Sequence, residues 1–414
     1  MQEQAATALK ELAASNDGNK IKVVAAGAIH PLVALLGPQR SARAQTRAAS
    51  ALSILAEKGD DGIQAKIIAA GAIPPLVALL GPQSSIGVHA AATALLFKLA
   101  VFNADNMVRI AEAGAIPPLV ALLVPESSTG VQAHAAAVVQ ELAAGALGSL
   151  AENVDNQVKI AAAGAIPPLL ALLGPQSSAG LQDFAARALG NIAENDENQV
   201  KIAAACAIPP LVALLGPQSL ARVRAMAIAL LCNLAILNAD NKVKIAEAGA
   251  IPPLVALLVS QISPGIQEHA AAVVRELAAG ALGSLAENVD NQVKIAAAGA
   301  IPPLVALLGP QSSAETQNFA ARALRNLAEN DENQVKIAAA GAISPLVALL
   351  GPRSSAGVHD SAAGALGTLA VDCAANKVMI RSSGGISALT QLLQSSTSDE
   401  VKLMVKEALD VING

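Results

Sequence analysis

The chain has 414 residues, 53% of them hydrophobic but only 1% aromatic, with a mean hydropathy of +0.50 and a formal net charge of −5. Acids and bases are interspersed, so no long-range attraction to a phosphate backbone is expected, which argues against nucleic acid as a partner. The longest uncharged apolar run, residues 337–352, holds Gly, Ser and two prolines and falls short of the ~18–20 residues of a membrane-spanning helix.

The amino terminus shows neither the basic start nor the apolar core of a signal peptide. An intracellular protein, cytoplasmic or nuclear and without membrane insertion, is therefore expected. Cys206, Cys232 and Cys373 are odd in number and far apart. They form neither a disulfide framework nor a metal knuckle, and read as small buried thiols.

Residues 1–15 match only the last helix of a repeat that becomes explicit downstream, so the chain is expected to begin inside a unit. The repeat's signature is Gly-Ala-Ile-Pro-Pro-Leu-Val-Ala-Leu-Leu, first seen whole at Gly71–Leu80. It starts at Gly27, Gly71, Gly114, Gly164, Cys206, Gly249, Gly299 and Gly341 and fades at Gly384, with spacings of 44, 43, 50, 42, 43, 50, 42 and 43. Self-similarity at this period marks a helical array in which each unit packs on its neighbours.

The unit around Gly164 predicts three helices. Residues 155–163 form a short first helix behind Asn/Asp cap chemistry. Gly164 supplies a bend that needs positive φ. Residues 166–173 form a second helix whose Pro167-Pro168 pair sits in the first turn, where a missing N–H is harmless. After the loop 174–180 comes a third helix, 181–194, with Leu181, Ala185, Ala188, Leu189 and Ile192 on one face.

The units starting at Gly114 and Gly249 carry eight extra residues in the third helix, at 131–153 and 266–288. Eight residues rotate a helix by two turns plus ~80°, which predicts a two-segment helix adjusting near Gly145/Gly148 and Gly280/Gly283. Its first part would project from one edge. The long units lie 135 residues apart, and so do many other features, giving a higher-order block of three repeats. Residues 374–414 end in a highly charged third helix, as a C-terminal capping repeat requires.

The run Asn-Gln-Val-Lys-Ile … Ala-Gly-Ala-Ile-Pro-Pro-Leu-Val-Ala-Leu-Leu … Ala-Leu-Gly-Asn-Ile-Ala-Glu-Asn closely resembles the armadillo repeat, most of all that of plant U-box armadillo proteins and the yeast vacuolar armadillo protein. The resemblance covers nearly every residue. It implies an all-α, right-handed α-α superhelix of about nine three-helix repeats, a single armadillo solenoid spanning 1–414. It also implies a non-enzymatic scaffold, without cofactor, that binds an extended peptide along a concave groove formed by the third helices.

In the family an Asn ladder on those helices bonds the peptide backbone. The motif places it at Asn191, Asn233 and Asn326, while Ile54, Lys98, Ser149, Ser284 and Thr368 break it. The Trp that precedes this Asn in nuclear-import adapters is replaced by Ser50, Ala94, Gly145, Arg187, Ala229, Gly280, Arg322 and Gly364. With no Trp or Tyr in the chain, the aromatic troughs for basic cargo are missing.

Two groups remain as candidate partner-binding residues. Phe184, Arg187 and Asn191 share one helical face, and Phe319, Arg322 and Asn326 repeat the pattern, with Arg325 nearby. Arg with an amide suits an acidic or polar extended peptide; the competing reading makes the phenylalanines core and the arginines solvated. No catalytic residues or metal ligands emerge. His89, His134, His269 and His359 recur because the repeat recurs, and acidic stretches such as residues 194–199 lack the ligand pattern of a calcium loop. Two alternatives stay open: the substrate-recognition region of a U-box-type ubiquitin ligase, and a designed or consensus-like array without an evolved ligand.

Overall fold

The computed structural model describes residues 2–57, 61–124, 131–236, 238–259 and 266–414, without the side chains of 2, 61, 131, 132 and 266–270. Among them every regular element is a helix. The chain divides into two units, Met1–Ala207 and Ile208–Gly414.

Within the first unit, the triplet Val154–Ala162, Ile166–Ala171 and Ala179–Ile192 shows how local chemistry sets the repeat. The Asn153 side chain accepts from the Asn156 N–H and starts the first helix, satisfying one of the donors that a helix start leaves free. Gly164 turns the chain at φ 81°. Two prolines open the second helix, and Ser178 caps the third by accepting from Leu181 N–H. Leu181, Ala185, Ala186, Ala188, Leu189 and Ile192 are buried, the predicted face plus Ala186. The second unit repeats the pattern in Val289–Ala297, Ile301–Leu307 and Ala314–Leu327.

Third helices stack on third helices. In the first unit Gln2–Ser15, Ala42–Leu55, Ile86–Ala100, Val131–Leu150 and Ala179–Ile192 follow one another; in the second, Ala221–Ala235, Ile266–Leu285, Ala314–Leu327, Ala356–Ala370 and Asp399–Asn413 do. First helices are tied to the stack by buried asparagines. Asn198 Nδ2 lies 3.2 Å from the carbonyls of both Gln157 and Ile192, joining its own first helix to the first helix and to the third-helix end of the preceding repeat. Asn291 makes the same pair of bonds to Lys242 and Leu285.

The two long third helices differ from the sequence expectation. Val131–Leu150 and Ile266–Leu285 are single unbroken 20-residue helices, with no second segment at the glycines. The rotation is harmless because the extra turns need no core face: Ala133, His134, Ala137 and Val138 are exposed, and burial begins at Val139 and Gln140. No described helix is long and apolar enough to cross a membrane.

Cys206 takes the bend position with φ 59°, where the other bends are glycines at 76–83°. A side chain in this left-handed region costs about 1 kcal/mol. Cys206→Gly should therefore stabilise the protein by ~1 kcal/mol, read as a higher urea midpoint at unchanged slope; a lower midpoint would show that the bend carries no such strain.

Candidate partner-binding face

Phe184 and Arg187 lie on Ala179–Ile192, and Phe319 and Arg322 on Ala314–Leu327, all half-buried. The guanidinium carbon of Arg187 is 5.6 Å from the Phe184 ring centroid, and that of Arg322 is 5.3 Å from Phe319, within cation–π range. Nε and Nη2 of Arg187 and Nε of Arg322 are buried without a hydrogen-bond partner. Each unit thus carries a cation held over an aromatic face with donors unspent.

Glycine on the preceding third helix makes room for these rings. A Cβ added to Gly145 would come within 3.2 Å of both Phe184 Cδ1 and Phe97 Cζ. Phe97, from Ile86–Ala100, therefore meets Phe184 across the intervening helix, centroids 5.6 Å apart and planes at 89°, the edge-to-face geometry that aromatic pairs prefer. In the second unit Gly280 sits 3.5 Å, by the same measure, from Phe319 Cδ1. Sequence reasoning left Phe97 out of the site, although it is one of only four phenylalanines in the chain.

The asparagines have a job in the stack. Asn191 Nδ2 donates to Gly148 O at 2.9 Å and Asn326 Nδ2 to Gly283 O at 3.0 Å. Both carbonyls belong to the last turn of the preceding third helix, where no intrahelical donor remains. Lys98, at a position where the ladder is broken, does the same for Ser53 O at 2.9 Å; burial lowers its pKa, with Lys20 adding to the fall and Glu57 opposing it. Asn191 is half-buried and Asn326 buried. Asn233 makes no side-chain hydrogen bond among the described residues, and its helix carries Met226 and Ala229 where the others carry Phe and Arg. Arg325 points elsewhere: its side chain lies 3.0 Å from where a Gly364 Cβ would be. It sits near Asp360, whose pKa is raised by burial against the pull of Arg325.

Two of the histidines bond the ends of second helices. His89 Nε2 lies 3.0 Å from Gly81 O and His359 Nε2 2.9 Å from Gly351 O. In other repeats the same bond to the end of the second helix comes from glutamine, Gln45 to Gly37 O, Gln182 to Gly174 O and Gln317 to Gly309 O. His134 is exposed, and the side chain of His269 lies outside the described residues. In the acidic stretches Asn195 and Asn330 cap the helices that follow. Among the described residues no group of three or more His, Cys, Asp or Glu could hold a metal ion.

Two units of stacked three-helix repeats define an α-solenoid. The ARMC5 family profile matches residues 145–411, and the armadillo/beta-catenin-like repeat profile matches 16–57 and 103–144. The chain belongs to the armadillo-repeat family. Among solved structures it is similar to an engineered protein, at 32% identity and a TM-score of 0.85, over 100% of this chain and 95% of that one. It is also similar to a designed armadillo repeat protein, at 33% identity and a TM-score of 0.53, over 60% of this chain and 100% of that one. No curated protein matches the chain.

Two measurements check the assigned structural roles. His359→Gln should leave stability within about 0.5 kcal/mol, whereas His359→Ala, which removes the donor to Gly351 O, should cost about 1 kcal/mol in chemical denaturation. Equal effects would discard the helix-end role. Burial pushes the Cys232 thiol up to about 12, against a downward pull from Arg322. Iodoacetamide at pH 8 should therefore modify exposed Cys206 and spare Cys232 until the protein is unfolded.

Proposed function

We propose that this chain is a non-enzymatic protein-interaction scaffold whose third-helix faces bind an extended, acidic segment of a partner. The observation that carries this reading is the pair of arginines, each poised over a phenylalanine with buried donors left unpaired. A buried unpaired donor is costly, and a carboxylate supplies the planar acceptor that a guanidinium fork fits. The Oδ1 atoms of Asn191 and Asn326, on the same helical faces, can accept main-chain N–H groups of an extended peptide. The general binding role of armadillo repeats supports the class, and the arginine sites supply the chemistry.

A second reading, a consensus-like array with no evolved ligand, is supported by the likeness to an engineered protein and a designed armadillo protein. The two readings differ in what selection would yield. A random dodecapeptide display library panned on the full chain should return acid-rich peptides. These should bind the double variant Arg187→Ala/Arg322→Ala at least about tenfold more weakly, consistent with lost charge-assisted bonds. Their affinity should fall with added salt. Selected peptides without acidic bias, or binding the double variant as well as the native chain, would sink the scaffold reading at this face.

A further inference from the structure

One register of the third helices is spent on the fold in six of them. Gln45, His89, Gln140, Gln182, Gln317 and His359 each place a side-chain nitrogen 2.8–3.0 Å from a carbonyl at the end of their own repeat's second helix. The residues 135 positions after His89 and Gln140 are Arg224 and Arg275. Both lie in the second unit, on Ala221–Ala235 and Ile266–Leu285, which stack directly on each other.

Neither arginine takes over the bond of the residue it replaces. Gly216 O, the counterpart of Gly81 O, receives the Ser219 N–H at 3.3 Å and no side-chain donor. Both arginines are half-buried, with Nε sealed from water and without a hydrogen-bond partner. Their Nη atoms have no partner among the described residues either, but they reach solvent. Glu276, next in sequence to Arg275, is committed to the Ser313 and Thr316 hydroxyls at 3.0 and 3.2 Å. Two cations at one register of stacked helices are thus partly withdrawn from water without a counter-charge, a costly arrangement. Stacking does not require it, since histidine and glutamine serve the same register in the first unit.

We propose that Arg224 and Arg275 form a two-arginine site for a phosphate monoester, carried by a partner as a phosphorylated side chain. One guanidinium fork saturates the two oxygens of a carboxylate. A phosphate monoester brings close to two negative charges and three acceptor oxygens, enough for two forks at once. Packed helix axes lie about 8–10 Å apart, a gap that two arginine side chains close on one tetrahedral group. The site is separate from the groove arginines, whose register comes five residues later and ~140° further round the helix. The first unit has no such site, because His89 and Gln140 spend their donors on helix ends. One chain therefore binds one phosphate.

The test uses the full chain and three synthetic peptides, acetyl-Gly-Gly-Ser-Gly-Gly-amide, its phosphoserine form and its analogue with Glu in place of Ser. Binding is followed by calorimetry and, for the phosphoserine peptide, by phosphorus NMR. The phosphoserine peptide should bind one per chain with a Kd below ~1 mM, at least about tenfold more tightly than the other two. Arg224→His and Arg275→Gln each restore the residue that the first unit carries at that place, and each should weaken this binding at least about tenfold. Lys244→Gln, which removes an exposed charge of the same unit from a first helix, should change it less than about twofold.

Far-UV circular dichroism verifies that each variant is folded, and either arginine variant alone decides if the other fails to fold. A Kd above ~1 mM for the phosphoserine peptide, equal binding of the serine peptide, or indifference to both arginine substitutions overturns the site. Equal binding of the glutamate peptide overturns phosphate as the ligand. Inorganic phosphate separates the two sources of the same chemistry. Weaker binding than the phosphoserine peptide supports a partner-borne group, and equal or tighter binding overturns the partner in favour of a free anion.

Discussion

The interaction on which the stack depends is the capping of one third helix by a side chain from the next. A helix ends with carbonyls that lack intrahelical donors, and in a solenoid those ends line up repeat after repeat. Asn191 to Gly148 O, Asn326 to Gly283 O and Lys98 to Ser53 O meet that need with bonds of 2.9–3.0 Å. On the first helices, Asn198 and Asn291 each tie the third-helix end just before them to the first helix of the preceding repeat. A repeat that packs only on its neighbours has few long-range contacts to fix its register. Directional bonds from fixed positions set it, while small alanines on the third helices allow the close approach that makes these bonds reach.

This requirement explains how Lys98 can stand in the ladder where the asparagine is missing. Lysine, with its long flexible stem, and asparagine, with its short amide, both deliver an N–H donor to the carbonyl. Histidine and glutamine are interchangeable for the same reason at the end of the second helix, where His89, His359, Gln45, Gln182 and Gln317 each supply one donor. Where these bonds form, donor placement rather than residue identity decides them, whereas Ser149 Oγ, at another ladder position, is buried without a partner.

What could be read from the sequence was the local chemistry. Helix starts follow from Asn and Ser caps, the bends from glycine's tolerance of positive φ, and the second helices from prolines in the first turn, all decided within a few residues. The faces carrying Phe184, Arg187 and Asn191 were legible too, since a 3.6-residue period fixes them. The destination of the Asn191 amide was not, because its acceptor lies 43 residues earlier in the chain. Nor was the meeting of Phe97 with Phe184, which depends on two rings from non-adjacent helices touching over a glycine between them. The unbroken long helices went unread for a different reason: rotation of a helical face matters only where the face is buried, and the added turns leave Ala133, His134, Ala137 and Val138 in solvent.

Internal duplication turns the chain into its own comparison. Where the copies agree, as at the glycines and at the Phe–Arg pairs, the shared geometry is what the repeat needs to stack and to hold a cation over a ring. Where they diverge, stacking does not dictate the residue, and Phe97 against Cys232 is such a place. Phenylalanine there completes an aromatic pair, while with cysteine there Phe319 has no aromatic partner among the described residues. Loss of an edge-to-face contact removes about 0.5–1.5 kcal/mol beyond buried area. The second copy therefore stacks without the edge-to-face pair that the first copy makes over Gly145.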